Sequence, residues 1–134
     1  HIIHVMAEDD LPNFSYTIGL YETHKLPEMI MIGLDQELHQ IILNNIAYDY
    51  KEGVKFVSGE LREDILDDYK CLVLDVDKSN YEEYVGIAMD YYKGVDFPLM
   101  QIVWPTKSNM YPYDADAPPD FKDWQPVLGN YQPK

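Results

Sequence analysis

Residues 29–32 read Met-Ile-Met-Ile, inside a segment, residues 28–34, that is almost wholly apolar. A run this short and this uniformly apolar predicts a strand covered on both faces, because a strand with one wet side would alternate with polar residues. Whatever else the chain does, it has to build layers on either side of that strand. Upstream, residues 14–20 alternate and carry β-branched and aromatic side chains, which predicts a second strand. Residues 2–6 predict a short first strand, and Glu8-Asp9-Asp10-Leu11-Pro12-Asn13 is a turn sequence. Residues 21–27 are expected to be a loop.

After the apolar run, Asp35 is placed to cap a helix reaching about Lys51, with Gly53 near its stop. Leu38, Ile41, Ile42 and Ile46 are its expected buried stripe. Residues 54–57 and 70–76 are further strand candidates, and the acidic stretch 60–68 between them reads as a short helix or a loop. Ser79-Asn80-Tyr81-Glu82 has the form of a capping box and predicts a second helix, with Tyr81, Tyr84, Val85, Ala88 and Tyr92 at helical spacing and Gly94 at its end. Residues 98–104 are the last predicted strand, stopped by Pro105.

The order β-β-β-α-β-β-α-β, with strands arriving in pairs, predicts an α+β fold: a mainly antiparallel sheet with two main helices packed on it. Seven of the nine prolines fall between Pro98 and Pro133. Residues 105–134 are therefore expected to form an irregular tail whose aromatics, Tyr111, Tyr113, Phe121 and Trp124, wrap it back onto a body of residues 1–104. With 134 residues, 46% of them apolar, a single domain with one core is expected.

Charge narrows the function classes. The chain carries 24 acidic against 10 basic residues, a formal net charge of −14. That field repels phosphate backbones and anionic lipid, so nucleic acid and membrane surfaces are not expected partners, whereas a basic protein is attracted. No stretch approaches a membrane span and no basic-then-apolar signal segment opens the chain, which fits a cytoplasmic location. The single cysteine, Cys71, lies in the apolar run Cys71-Leu72-Val73-Leu74 among acids and reads as a buried small hydrophobe.

No catalytic constellation is visible. His1 and His4, three apart on a strand, face opposite sides and cannot share a metal; His24 falls in a loop and His39 on the first helix. No HExxH, cysteine pair, phosphate-binding glycine pattern or Gly-x-Ser-x-Gly occurs, and Ser15 and Ser58 have no nucleophile-elbow context. No metal is expected. Asn44-Asn45 inside the first helix and Gln101 inside the last strand are polar groups in apolar settings; each would need partners from the backbone across the core or from a ligand.

Several blocks together resemble the bacterial domain-of-unknown-function family 4262. They are Phe14-Ser15-Tyr16-Thr17-Ile18-Gly19-Leu20, Pro27-Glu28, Gly33-Leu34, Leu43-Asn44-Asn45, Asp96-Phe97-Pro98, Gln101-Ile102-Val103-Trp104-Pro105, Tyr111-Pro112-Tyr113-Asp114 and Gln125-Pro126. The likeness runs from His1 to about Leu128. Where the family often has Trp-Pro-Asp this chain has Trp104-Pro105-Thr106, and where it has Pro-Trp this chain has Pro112-Tyr113. The family brings no established activity, so the resemblance implies no catalytic residue.

Two functional readings follow. The first is a non-enzymatic acidic binding domain, one form of which is an immunity-type protein that masks a basic partner. The alternative is a small-molecule-binding domain or enzyme on a split-barrel-like fold, with FMN as its cofactor; Lys25 is then the one base in the region where a flavin phosphate would want several. Without that alternative no cofactor is expected. The expected functional surface joins the Tyr-Thr-Ile-Gly-Leu strand, the Trp-Pro corner and the returning tail, with Tyr16, Asn44, Gln101, Trp104, Tyr111 and Asp114 as lining residues. In this reading Trp104 caps a cleft with its indole N–H free to donate.

Overall fold

A computed structural model describes residues 1–130; residues 131–134 of the expected tail lie outside the described residues. Six strands, β1 (Ile2–Val5), β2 (Phe14–Thr17), β3 (Glu28–Ile32), β4 (Leu61–Leu66), β5 (Tyr69–Asp75) and β6 (Leu99–Val103), form one sheet in the order β1-β2-β3-β6-β5-β4. All neighbours are antiparallel except β3 and β6, which run parallel at the centre. The sheet is open, with β1 and β4 as its edges, so the split-barrel alternative is corrected: the strands do not close on themselves.

The apolar run is the reason for this layering. Alternate side chains of β3 enter two separate cores: Ile30 and Ile32 face one with Phe14, Tyr16, Tyr84 and Leu99, while Met29 and Met31 face the other with Ile42, Leu43, Ile46 and Ile102. The second core is covered by α2 (Gln36–Lys51), capped as expected by Asp35, whose carboxylate accepts from Leu38 N at 2.8 Å. The first is covered by α3 (Tyr81–Tyr84) and α4 (Gly86–Tyr92).

Four local expectations need correction. The buried stripe of α2 is His39, Ile42, Leu43, Ile46 and Tyr50, not the stripe through Ile41, which is 57% exposed. At about 100° per residue these five cluster on one side and Ile41 falls opposite. The second helix is not continuous. Residues Lys78–Asn80 form a 3-10 turn, no side chain caps α3, and the helix breaks at Val85–Gly86, where a β-branched residue meets a poor helix former. Residues 54–57 are irregular, and the acidic stretch instead supplies β4, an edge strand with a register irregularity between Arg62 and Leu66 that keeps Glu63 and Asp64 in solvent. The first predicted loop contains a short helix, α1 (Leu20–His24).

Residues of the segment after β6 are buried against the sheet. Phe121, at the start of α5 (Phe121–Trp124), is buried in the α2-side core, and Leu128 is buried in the opposite one. The segment thus passes around the ends of β3 and β6. Gly33 is where it passes closest: its φ is +96°, and a Cβ there would stand 2.9 Å from the Trp124 carbonyl oxygen.

Candidate functional site

Gln101 at the middle of β6 and Trp104 just past its end lie on opposite faces of the sheet, and each is held by the tail. Gln101 Nε2 donates to the Pro126 carbonyl and its Oε1 accepts from Leu128 N, both at 2.8 Å. The Trp104 indole donates to the Ile32 carbonyl at 2.8 Å, so the expected free N–H is corrected. Tyr111 reaches the backbone of β5, its hydroxyl donating to the Lys70 carbonyl at 2.5 Å, and Asp114 accepts from Tyr111 N at 2.7 Å. Gln101, Trp104 and Tyr111 thus bond the tail to the body, and Asp114 bonds Tyr111 within the tail.

Beside them, the Tyr-Thr-Ile-Gly-Leu block and Pro27-Glu28 meet around one carboxylate. Glu28 is fully buried. It accepts from the Thr17 hydroxyl at 2.7 Å, from the amides of Gly19, Leu20 and Tyr21 at 2.8, 3.1 and 3.3 Å, and from the Tyr92 hydroxyl. Those amides open α1, so the carboxylate occupies the place of a helix cap supplied from another strand. Burial and the bond to Glu28 raise the Tyr92 phenol above its ordinary range; burial, then the Glu28 charge, does the same to Tyr50.

A second polar group bridges β1, β2 and α2. The Leu34 amide can only donate, and it donates to His39 Nε2 at 3.2 Å, so the His39 proton is on Nδ1. That proton goes to Ser15 Oγ at 2.9 Å; Ser15 Oγ is also hydrogen-bonded to His4 Nδ1 at 2.7 Å, and His4 Nε2 to Gln40 Oε1 at 2.7 Å. The bond from Leu34 requires the His39 ring to be neutral. Burial first, then the neighbouring His4, lowers the His39 pKa to about 4. A cavity of about 240 Å³ adjoins this relay, lined by His4, Asn13, Ser15, Asp35 and Gln36 among others.

Tyr16 lies elsewhere. It packs beside Phe14 and Ala88 in the core under α4, and burial raises its phenol pKa. Its edge is at the floor of an open groove of about 490 Å³ between β1 and α4, lined also by Val5, Phe14, Ile87 and Met89 and rimmed by Glu82, Glu83 and Asp90. Asn44 and Asn45 are both exposed on α2, which corrects the expectation that Asn45 is buried. Asn44 lines a different pocket of about 200 Å³ with Ile2, Thr17 and Gln40. Neither place has a lysine or arginine in its lining to meet a flavin phosphate.

The six expected lining residues therefore fall into three places. Gln101, Trp104 and Tyr111 fasten the tail, with Asp114 bonded to Tyr111 inside it, Tyr16 borders the β1–α4 groove, and Asn44 faces outward from α2. The sequence reading passed over Glu28, Ser15 and His39. Glu28 carried a signal, an acid opening an otherwise apolar strand; His39 carried one in its i−3 spacing to Ile42. Among the described residues no three histidine, cysteine or acidic side chains gather where they could hold a metal, and no helix is long and apolar enough to cross a membrane. Cys71 is buried, and burial pushes its thiol up to about 12.

Comparison with curated proteins and with solved structures gives no match. One family does match; its match ends before the Gln125-Pro126 pair that the resemblance took in, but it spans the strand blocks, Glu28 and the Trp-Pro corner. The chain belongs to this family, described as a domain of unknown function (DUF4262), over residues 1–118.

Proposed function

We propose that the protein is a non-enzymatic, acidic interaction domain that works in the cytoplasm by binding, and in one form masking, a basic protein. The observation that carries this reading is how little of its negative charge is answered within the fold. Of the 24 acids only Glu28 is buried. Among the described residues the ion pairs are Arg62 with Glu60 and Asp64, and Lys70 with Glu63, all on or beside the β4–β5 hairpin. The opposite edge of the sheet is different. Residues 1–24 and 79–92 contain no lysine or arginine, while they contribute Glu8, Asp9, Asp10, Glu22, Glu82, Glu83 and Asp90. A surface of one sign accelerates encounter with a partner of the other and selects against acidic ones.

The test is purification from the native host at low ionic strength, identification of any stoichiometric partner by mass, and reconstitution from the two purified proteins. The expected partner is basic, binds in a fixed ratio and dissociates as salt rises. A reconstituted complex that is unaffected by Glu82→Lys together with Glu83→Lys, and by salt, overturns the reading.

A further inference from the structure

We infer that the partner docks as an extended segment, carrying apolar and basic side chains in turn at every second position, that adds to the free edge of β1 and lays its apolar side chains in the β1–α4 groove. This rests on the acidic-interaction reading and gives it a place and a geometry.

The edge is available in a defined register. His1 and Ile18 exchange both hydrogen bonds, at 3.0 and 2.8 Å. Antiparallel pairs alternate between bonded and non-bonded, so with Ile3 opposite Tyr16 and Val5 opposite Phe14 those pairs are bonded too. The N–H and C=O groups of Ile2 and His4 then point away from β2, toward the side of the sheet where no strand follows among the described residues. An open edge of this kind is a template for a further strand.

The face beside that edge sets the chemistry of the guest. Ile3 and Val5 turn toward the α4-side core, and the groove beyond Val5 is floored by Phe14, Tyr16 and Met89, with Ile87 54% exposed at its side. A strand added to β1 directs every second side chain onto this face, which asks for apolar residues at that period. The carboxylates of Glu82, Glu83 and Asp90, all exposed, ring the same groove on this same face and ask for lysine or arginine among those same every-second positions, in turn with the apolar ones. A second copy of this chain is a poor occupant: pairing two β1 edges would set the same acidic rims against each other on two chains of charge −14.

The experiment uses a short fluorescein-labelled peptide in which serine alternates with valine and lysine taken in turn, so that valine and lysine share one face, followed by anisotropy at low salt. Beside it run the same peptide N-methylated at alternate backbone positions, which cannot pair along one edge, and a peptide with serine in place of valine. The alternating peptide is expected to bind; both controls, and Glu83→Lys or Asp90→Lys in the protein, are expected to weaken binding by about tenfold or more. Amide exchange at Ile2 and His4 is expected to slow in the complex. Equal binding of all three peptides, or unchanged exchange at Ile2 and His4, overturns edge docking while leaving acidic capture intact. If the alternating peptide fails to bind, edge docking falls; if polylysine fails as well, the acidic-interaction reading falls with it.

Discussion

The Gln125 side chain pairs with the Trp104 backbone as a strand would: its Oε1 accepts from Trp104 N at 3.0 Å and its Nε2 donates to the Trp104 carbonyl at 2.8 Å. Both groups are buried, so nothing else can satisfy them when the side chain is gone. Gln125→Ala is expected to cost about 2–3 kcal/mol in urea unfolding. It should also make the tail, from Pro105 onward, the first segment cut in limited proteolysis. Cleavage that begins elsewhere would show that the tail is fastened by other contacts.

Neighbouring isoleucines on α2 should behave oppositely. Ile42 is 2% exposed in the core with Met29 and Leu43, and Ile41 is 57% exposed. Ile42→Ala is expected to destabilise by about 2–5 kcal/mol. Ile41→Ala should stay within about 0.5 kcal/mol. Chemical denaturation of both variants side by side checks which face of the helix is buried.

His39 makes stability depend on pH with a defined sign. Its folded pKa is about 4 against 6.5 for the free side chain, so between those values the unfolded chain holds a proton that the folded one does not. Stability therefore rises with pH across that window and is lost as pH falls from 6.5 toward 4, by on the order of 3 kcal/mol in all. The structural reason is that a proton on Nε2 would face the Leu34 N–H. His39→Gln keeps an acceptor and a donor but cannot titrate. Unfolding free energies at intervals from pH 7 to pH 4 should show a shallower slope in that variant; an unchanged slope would place the pH dependence in other groups.

Glu28 is surrounded only by donors, the Thr17 and Tyr92 hydroxyls and the amides of Gly19, Leu20 and Tyr21. Glu28→Gln puts an NH₂ among them and is expected to cost about 2–4 kcal/mol despite its near-identical shape. Thr17→Val, which removes one donor and the acceptor for Met29 N at 2.9 Å, should cost about 1–3 kcal/mol. A Glu28→Gln protein as stable as the parent in thermal and urea unfolding would show that these donors do not depend on the carboxylate.

The sequence by itself determined the parts of this protein that are written in a few adjacent residues. The Met-Ile-Met-Ile run forced a strand with a core on each face, Asp35 started α2, Pro105 ended β6, and the proline-rich tail had to lean on the body. Periodicity and capping are local signals, so they survive without knowing the rest of the chain. They weaken wherever neighbours decide. The acidic stretch 60–68 had no apolar alternation to show because β4 is an edge strand; α2 could have buried either Ile41 or Leu43 until a sheet lay beneath it. Tertiary structure alone decided the roles of Glu28, whose Tyr92 partner is 64 residues away, of His39, ordered by Ser15 on a strand 24 residues back, and of Trp104, whose indole meets a carbonyl 72 residues distant. The physical reason is that a buried polar group takes whichever partner the packed layers bring within bonding distance, and that choice is made by the closure of the whole sheet.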